Sequence, residues 1–67
     1  VVNTKLLEKY IQKSGYRKKF IAEKLGITAY AFSLKISGTN EFKGSEIKIL
    51  MNLLNLDLEK AQAIFFA

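Results

Sequence analysis

Apolar residues return every three or four positions along most of the chain, and glycines at 15, 26, 38 and 44 divide it into segments. That spacing marks helices with one apolar face. A first helix is predicted over Asn3 to Ser14. Leu6, Leu7, Tyr10 and Ile11 share one face, and Lys5, Glu8, Lys9, Gln12 and Lys13 take the other. Asn3 or Thr4 offers a side-chain oxygen to the free N–H groups at its start. Gly15 ends it in the left-handed conformation. A second helix is predicted over Lys18 to Leu25, with Ile21, Ala22 and Leu25 inward and Phe20 partly buried. Its start is weakly capped, because Tyr16 and Arg17 have no oxygen close to the backbone. Gly26 ends it, Ile27 turns inward as a plug, and Thr28 caps a third helix over Ala29 to Ile36. Phe32 and Ile36 lie on the inner face of that helix, with Tyr30, Ser33, Leu34 and Ser37 away from them, and Gly38 closes it.

Residues 39–44 read as a loop that tucks Phe42 into the core. Ser45 is expected to cap a fourth helix, Glu46 to Leu54, whose buried stripe is Ile47, Leu50, Met51 and Leu54. Asp57 is expected to cap a short fifth helix carrying Leu58, Ala61, Ile64 and Phe65. No segment shows the period of two that strands need. The expected fold is therefore all-α, a compact five-helix domain taking in residues 1–67 as one unit.

The junction of the second and third helices has a physical logic of its own. Two helices crossing steeply over a turn of three or four residues need a small residue where they approach, and Ala22 supplies it. They need a residue that accepts φ > 0, which is Gly26, and an apolar plug, which is Ile27. Phe32 then anchors the third helix on Ile21 and Leu25, leaving its other face free to enter a major groove.

Composition narrows the function. The 67 residues hold no Cys and no His, which removes disulfides, thiolate metal sites and the commonest general base and zinc ligand. The six acids are scattered, so no triad, metal cluster or phosphate loop can be drawn, and an enzyme is not expected. No cofactor is expected either. No apolar run approaches the ~18 residues of a membrane span, and no leader with a small-residue cleavage site is visible. The expectation is a soluble, intracellular protein that is not associated with a membrane. The chain starts with Val1, which suggests a processed or trimmed start.

Charge is distributed unevenly. Residues 1–43 hold nine Lys or Arg and three Glu, while residues 44–67 hold two Lys and three acids. A basic half joined to a near-neutral half suits a polyanion-facing side, although a lysine-biased solvated surface gives the same count. Arg17, Lys18 and Lys19 are three successive cations at a helix N-terminus, where the macrodipole disfavours positive charge. A phosphate there relieves the repulsion. Lys5, Lys9 and Lys13 fit a solvated helix face better than a contact.

Ile-Ala-Glu-Lys-Leu-Gly-Ile-Thr at 21–28, Leu-Lys-Ile-Ser-Gly at 34–38 and Glu-Phe-Lys-Gly-Ser-Glu-Ile-Lys-Ile-Leu at 41–50, with the terminal Ile-Phe-Phe-Ala, carry a resemblance over nearly the whole chain. The chain resembles the Cro/repressor helix-turn-helix family, the lambda-repressor-like domains, and within it the small phage-type regulators of Gram-positive bacteria. The resemblance implies a sequence-specific transcriptional regulator of double-stranded DNA, with a recognition helix at about 28–36 in the major groove. By position, Thr28, Ala29, Tyr30, Ser33 and Leu34 would face bases. Arg17, Lys18, Lys19, Lys35, Thr39, Asn40 and Lys43 would meet the backbone. Two positions depart from the family: Lys18 replaces the usual Gln at the start of the second helix, and Lys35 stands where many members carry an apolar residue.

A rival function is a protein-interaction module, such as an antitoxin or a partner of another regulator, using an apolar C-terminal patch of Leu53, Ile64, Phe65 and Phe66. The same patch is the candidate interface of a homodimer. Such a dimer would set two recognition helices about 34 Å apart and read a near-palindromic operator. The plainer alternative is that Ile64 and Phe65 close the core.

Overall fold

The computed structural model describes residues 2–66. Five helices follow in order: α1 Thr4–Ser14, α2 Lys18–Leu25, α3 Ala29–Ile36, α4 Gly44–Leu53 and α5 Leu58–Phe65. No helix among the described residues is long and apolar enough to cross a membrane.

Most boundaries fall where capping chemistry puts them. The Asn3 side-chain oxygen accepts from the Leu6 N–H at 3.2 Å, Thr28 Oγ1 from the Ala31 N–H at 3.0 Å, and Asp57 from the Lys60 N–H at 2.8 Å. Each satisfies a donor that has no partner inside its own helix. Arg17, at the start of α2, makes no side-chain cap bond.

The α2–α3 turn is built on Gly26, whose φ is +75°. The Gly26 N–H donates to the Glu23 carbonyl at 3.1 Å, and the Ile27 N–H donates to the Ala22 carbonyl at 3.0 Å. This double closure is the Schellman arrangement, and it needs a left-handed residue at that one position. It turns the chain within three residues, so that α3 starts directly after α2 and packs against it. The turn from α4 to α5 is closed by the same long bond, Leu56 N–H to Met51 carbonyl at 2.9 Å. There the left-handed residue is Asn55 (φ +56°), the side chain besides glycine that most readily accepts it.

Among the described residues, twelve buried apolar side chains form one core, with Leu7, Ile21, Phe32, Leu50 and Ile64 fully enclosed. Phe42 reaches in from the α3–α4 loop and meets Phe32 and Phe65 edge-on, with ring centroids 6.2 and 5.3 Å apart. Edge-to-face contact matches the positive ring edge to the negative ring face. Two long-range bonds fasten the start of α1 to this body. Thr4 Oγ1 donates to the Ile36 carbonyl at 2.7 Å, and the Asn3 N–H donates to the Ile64 carbonyl at 2.6 Å.

Four sequence expectations are corrected. The fourth helix begins at Gly44, with Lys43 at the cap position, and not after a Ser45 cap. Glu46 explains the shift: its carboxylate reaches back to accept from the Lys43 N–H at 2.8 Å. Leu58 does not enter the core and is 73% exposed. Leu56, two residues earlier in the turn, is buried in its stead. Phe20 lies on the surface of α2. Within the expected stripe of α4, Leu50 and Leu54 are buried while Ile47 and Met51 are half-buried.

Candidate functional site

The outward side of α3 is open. Thr28, Ala29, Tyr30 and Ser33 are exposed, and Tyr30 is the barest aromatic in the molecule at 74%. Leu34 is half-buried. The other side of the helix is sealed, with Phe32, Lys35 and Ile36 buried. An eight-residue helix with one side anchored and one bare can be approached by a partner without rearrangement of the core.

The end of α3 is held by its own loop. The Leu34 carbonyl accepts from Ser37 Oγ at 2.9 Å, from the Thr39 N–H at 3.0 Å and from the Asn40 N–H at 3.3 Å. Ser37 and Thr39 hydroxyls lie 3.0 Å apart. Thr39 and Asn40 are thereby fixed beside the helix with exposed side chains. Arg17, Lys18, Lys19 and Lys43 are exposed as well. Lys18 is engaged with Glu8, Nζ to Oε1 at 3.0 Å, with both side chains nearly half exposed. A pair this wet is worth at most about 1 kcal/mol and yields readily to a competing anion.

Lys35 is the residue that sequence reasoning misplaced. It is not a surface cation free to meet a phosphate: it is 8% exposed, and its Nζ donates to Glu46 Oε1 of α4. The signal was in the spacing. Position 35 is one residue from Ile36 and three from Phe32, so it shares their inward face. A cation there needs a buried anion, and Glu46 supplies it.

Glu46 therefore serves two elements. One oxygen takes both the Lys35 ammonium of α3 and the Lys43 backbone N–H at the start of α4. Burial by itself pushes its carboxyl upward. The Lys35 hydrogen bond, the Lys43 N–H and the two lysine charges outweigh that, so its pKa is held below the ordinary value of 4.5. Among the described residues no buried side-chain nitrogen or oxygen is left without a partner.

The C-terminal patch is also corrected. Ile64 and Phe65 are buried in the core and cannot serve an interface, and Leu53 is half-buried. The cause is the tie from Asn3 to the Ile64 carbonyl and the edge contact of Phe65 with Phe42. Phe66 alone stays bare, at 68%, beside a shallow depression of about 240 Å³ lined by Val2, Phe42, Ile47 and Phe65 among others.

Sequence reasoning also passed over an aromatic group at the start of α2. Tyr16 and Phe20 stack with centroids 5.1 Å apart, and Lys24 Nζ stands 5.3 Å from the Phe20 ring. Phe20 and Lys24 are four apart on α2 and their pairing was legible, whereas Tyr16 reaches Phe20 from outside the helix.

Comparison with protein-family models, with curated proteins and with solved structures finds no match to this chain.

Proposed function

We infer that this small all-helical chain is a binding module for double-stranded DNA, a Cro- or repressor-like regulator that reads sequence with α3 in the major groove. The supporting observation is the division of α3 into a sealed side and a bare side. A helix end that meets base edges must protrude from a body rigid enough to hold its angle. Thr28 and Ser33 then offer hydroxyls to base edges, Ala29 offers a methyl for thymine, and Tyr30 reaches a base or a phosphate. Arg17, Lys18, Lys19, Lys43, Thr39 and Asn40 provide the backbone contacts that set register. Lys35 leaves this list, because its ammonium holds α3 to α4. The face lacks Arg, Gln and Asn, the side chains that make bidentate base contacts, so the site is read with modest selectivity and groove shape contributes.

The rival, a protein-interaction module with an apolar C-terminal patch, loses most of its surface to the burial of Ile64 and Phe65. The module acts by binding and carries out no chemistry.

Selection from random duplex DNA tests the reading. An enriched motif is expected, with affinity for it falling steeply between low and moderate salt as phosphate-bound counterions are released. A pool that stays random after repeated rounds would refute it.

A further inference from the structure

A stacked pair of exposed aromatics, Tyr16 and Phe20, flanks the run of cations Arg17, Lys18 and Lys19 in sequence and lies off α3. Tyr16, in the α1–α2 connection, stacks on Phe20 of α2, and the Lys24 ammonium stands beside Phe20. Both rings are exposed. Tyr16 also walls a cleft of about 310 Å³ between the end of α1 and the α4–α5 turn. A second aromatic, Tyr10, lines the same cleft, and Lys60 Nζ stands 5.9 Å from its ring. Lys13 adds another ammonium, Asn55 an amide, and Leu53 and Leu54 apolar surface. No carboxylate and no residue of α3 lines it. Of the acids near these cations in sequence, Asp57 caps α5 and Glu8 is paired with Lys18, while Glu23 and Glu59 are exposed and line no part of the cleft.

Rings that alternate with ammonium groups suit a ligand that alternates planar bases with phosphates. Base-on-aromatic stacking is tolerant of sequence because every base has a π-face, and a cationic groove follows the backbone. A duplex cannot use such a surface, since its bases are already stacked on one another. An unpaired strand can. An acidic peptide would satisfy the lysines but would leave the two tyrosines without a role.

We propose that this face binds unpaired nucleic acid, with a base stacked against Tyr16 in the cleft beside Tyr10 and adjacent phosphates on Lys13 and Lys60. The surface shares no residue with the outward face of α3, so the proposal stands or falls apart from the duplex reading.

The test is fluorescence anisotropy with an end-labelled oligothymidylate, a hairpin duplex and thymidine monophosphate as competitor, on the full chain. The strand is expected to bind. Tyr16→Ser should weaken it by about tenfold or more, since one stacked base is lost, while leaving the hairpin unaffected. Tyr16→Phe keeps the ring and should restore the affinity. The pair Lys13→Gln with Lys60→Gln should weaken strand binding and flatten its salt dependence. The chain has three tyrosines and no tryptophan, so quenching of intrinsic tyrosine emission by the strand reports stacking in the unaltered protein, even if Tyr16→Ser fails to fold. The proposal is overturned if the strand does not bind, if it binds without quenching, or if the lysine pair matters and Tyr16→Ser does not. Competition by the monophosphate as effective as by the strand would overturn it too, by showing a free-nucleotide site.

Discussion

Lys35 and Glu46 show how much a single pair of side chains can decide. Each is buried, and each would be a severe liability alone, because an ion without its partner keeps its desolvation penalty and loses the attraction that offset it. Lys35→Met should therefore cost about 3 kcal/mol near neutral pH, the range found when one member of a buried pair is removed. The double change Lys35→Met with Glu46→Leu should come within about 1 kcal/mol of the unaltered protein, the remainder being the lost bond to the Lys43 N–H. Urea unfolding measures both. Acid supplies a second reading of the same pair. In the unaltered protein the Glu46 carboxyl titrates below its ordinary 4.5, so its contribution is fully present above that value and is lost as pH falls through the folded pKa. In Lys35→Met the lone buried carboxylate prefers its proton, so the deficit should begin to shrink above 4.5 as the variant takes that proton, and shrink further below 4.5 as the unaltered protein loses its pair. A deficit independent of pH would show that the pair is not what holds α3 to α4.

At the scale of the elements, the α2–α3 turn depends on one backbone conformation. A Cβ added at Gly26 would meet nothing within 4 Å, so any cost of Gly26→Ala comes from φ and not from collision. The left-handed region costs an L-residue roughly 1–2 kcal/mol, and the stiffer unfolded chain returns about 0.4–1 kcal/mol. The net expectation is a loss of about 1 kcal/mol, or some 4–8 °C in a thermal melt for a domain of this size. Gly26→Asn should lose less, and equal losses for both would contradict the account. This turn was legible in the sequence because glycine, an apolar plug and a capping threonine follow one another there. The five helices were legible for the same reason, that a 3.6-residue period and a short polar cap are local signals. What was not legible depended on neighbours distant in the chain. The inward position of Lys35 was in the spacing, but the partner that makes a buried lysine tenable, Glu46, is eleven residues away. Ile64 and Phe65 fitted a patch as well as a core until the tie to Asn3 and the ring of Phe42 decided between them. Leu58 kept the helical period but points outward, because Asn55 turns the chain and puts Leu56 inside. In the candidate site, the exposed face of α3 followed from its periodicity. The cleft behind Tyr16 did not, because it is assembled from three separate helices.

The whole molecule measures only 27 × 24 × 21 Å, and a module this small buries about 600–1,000 Å² on DNA. Contact area alone then gives little discrimination between sites, so affinity and selectivity should come from separable groups of residues. The net charge of +5 supplies attraction to any polyanion at long range, without reference to sequence. On the proposed reading, the bare face of α3 supplies the discrimination between sites. Lys19→Ala should weaken the selected duplex and a random duplex by the same factor and reduce the slope of log affinity against log salt by about 0.9, the share of one phosphate. Tyr30→Ala and Ser33→Ala should leave that slope nearly intact and lower the ratio of selected to random binding, each by a factor of about 2 to 10, the value of a single hydrogen bond. Filter binding at two salt concentrations resolves the two patterns. Equal losses on both duplexes for all three variants would mean that α3 adds only to general attraction, and its bare face would then need another partner.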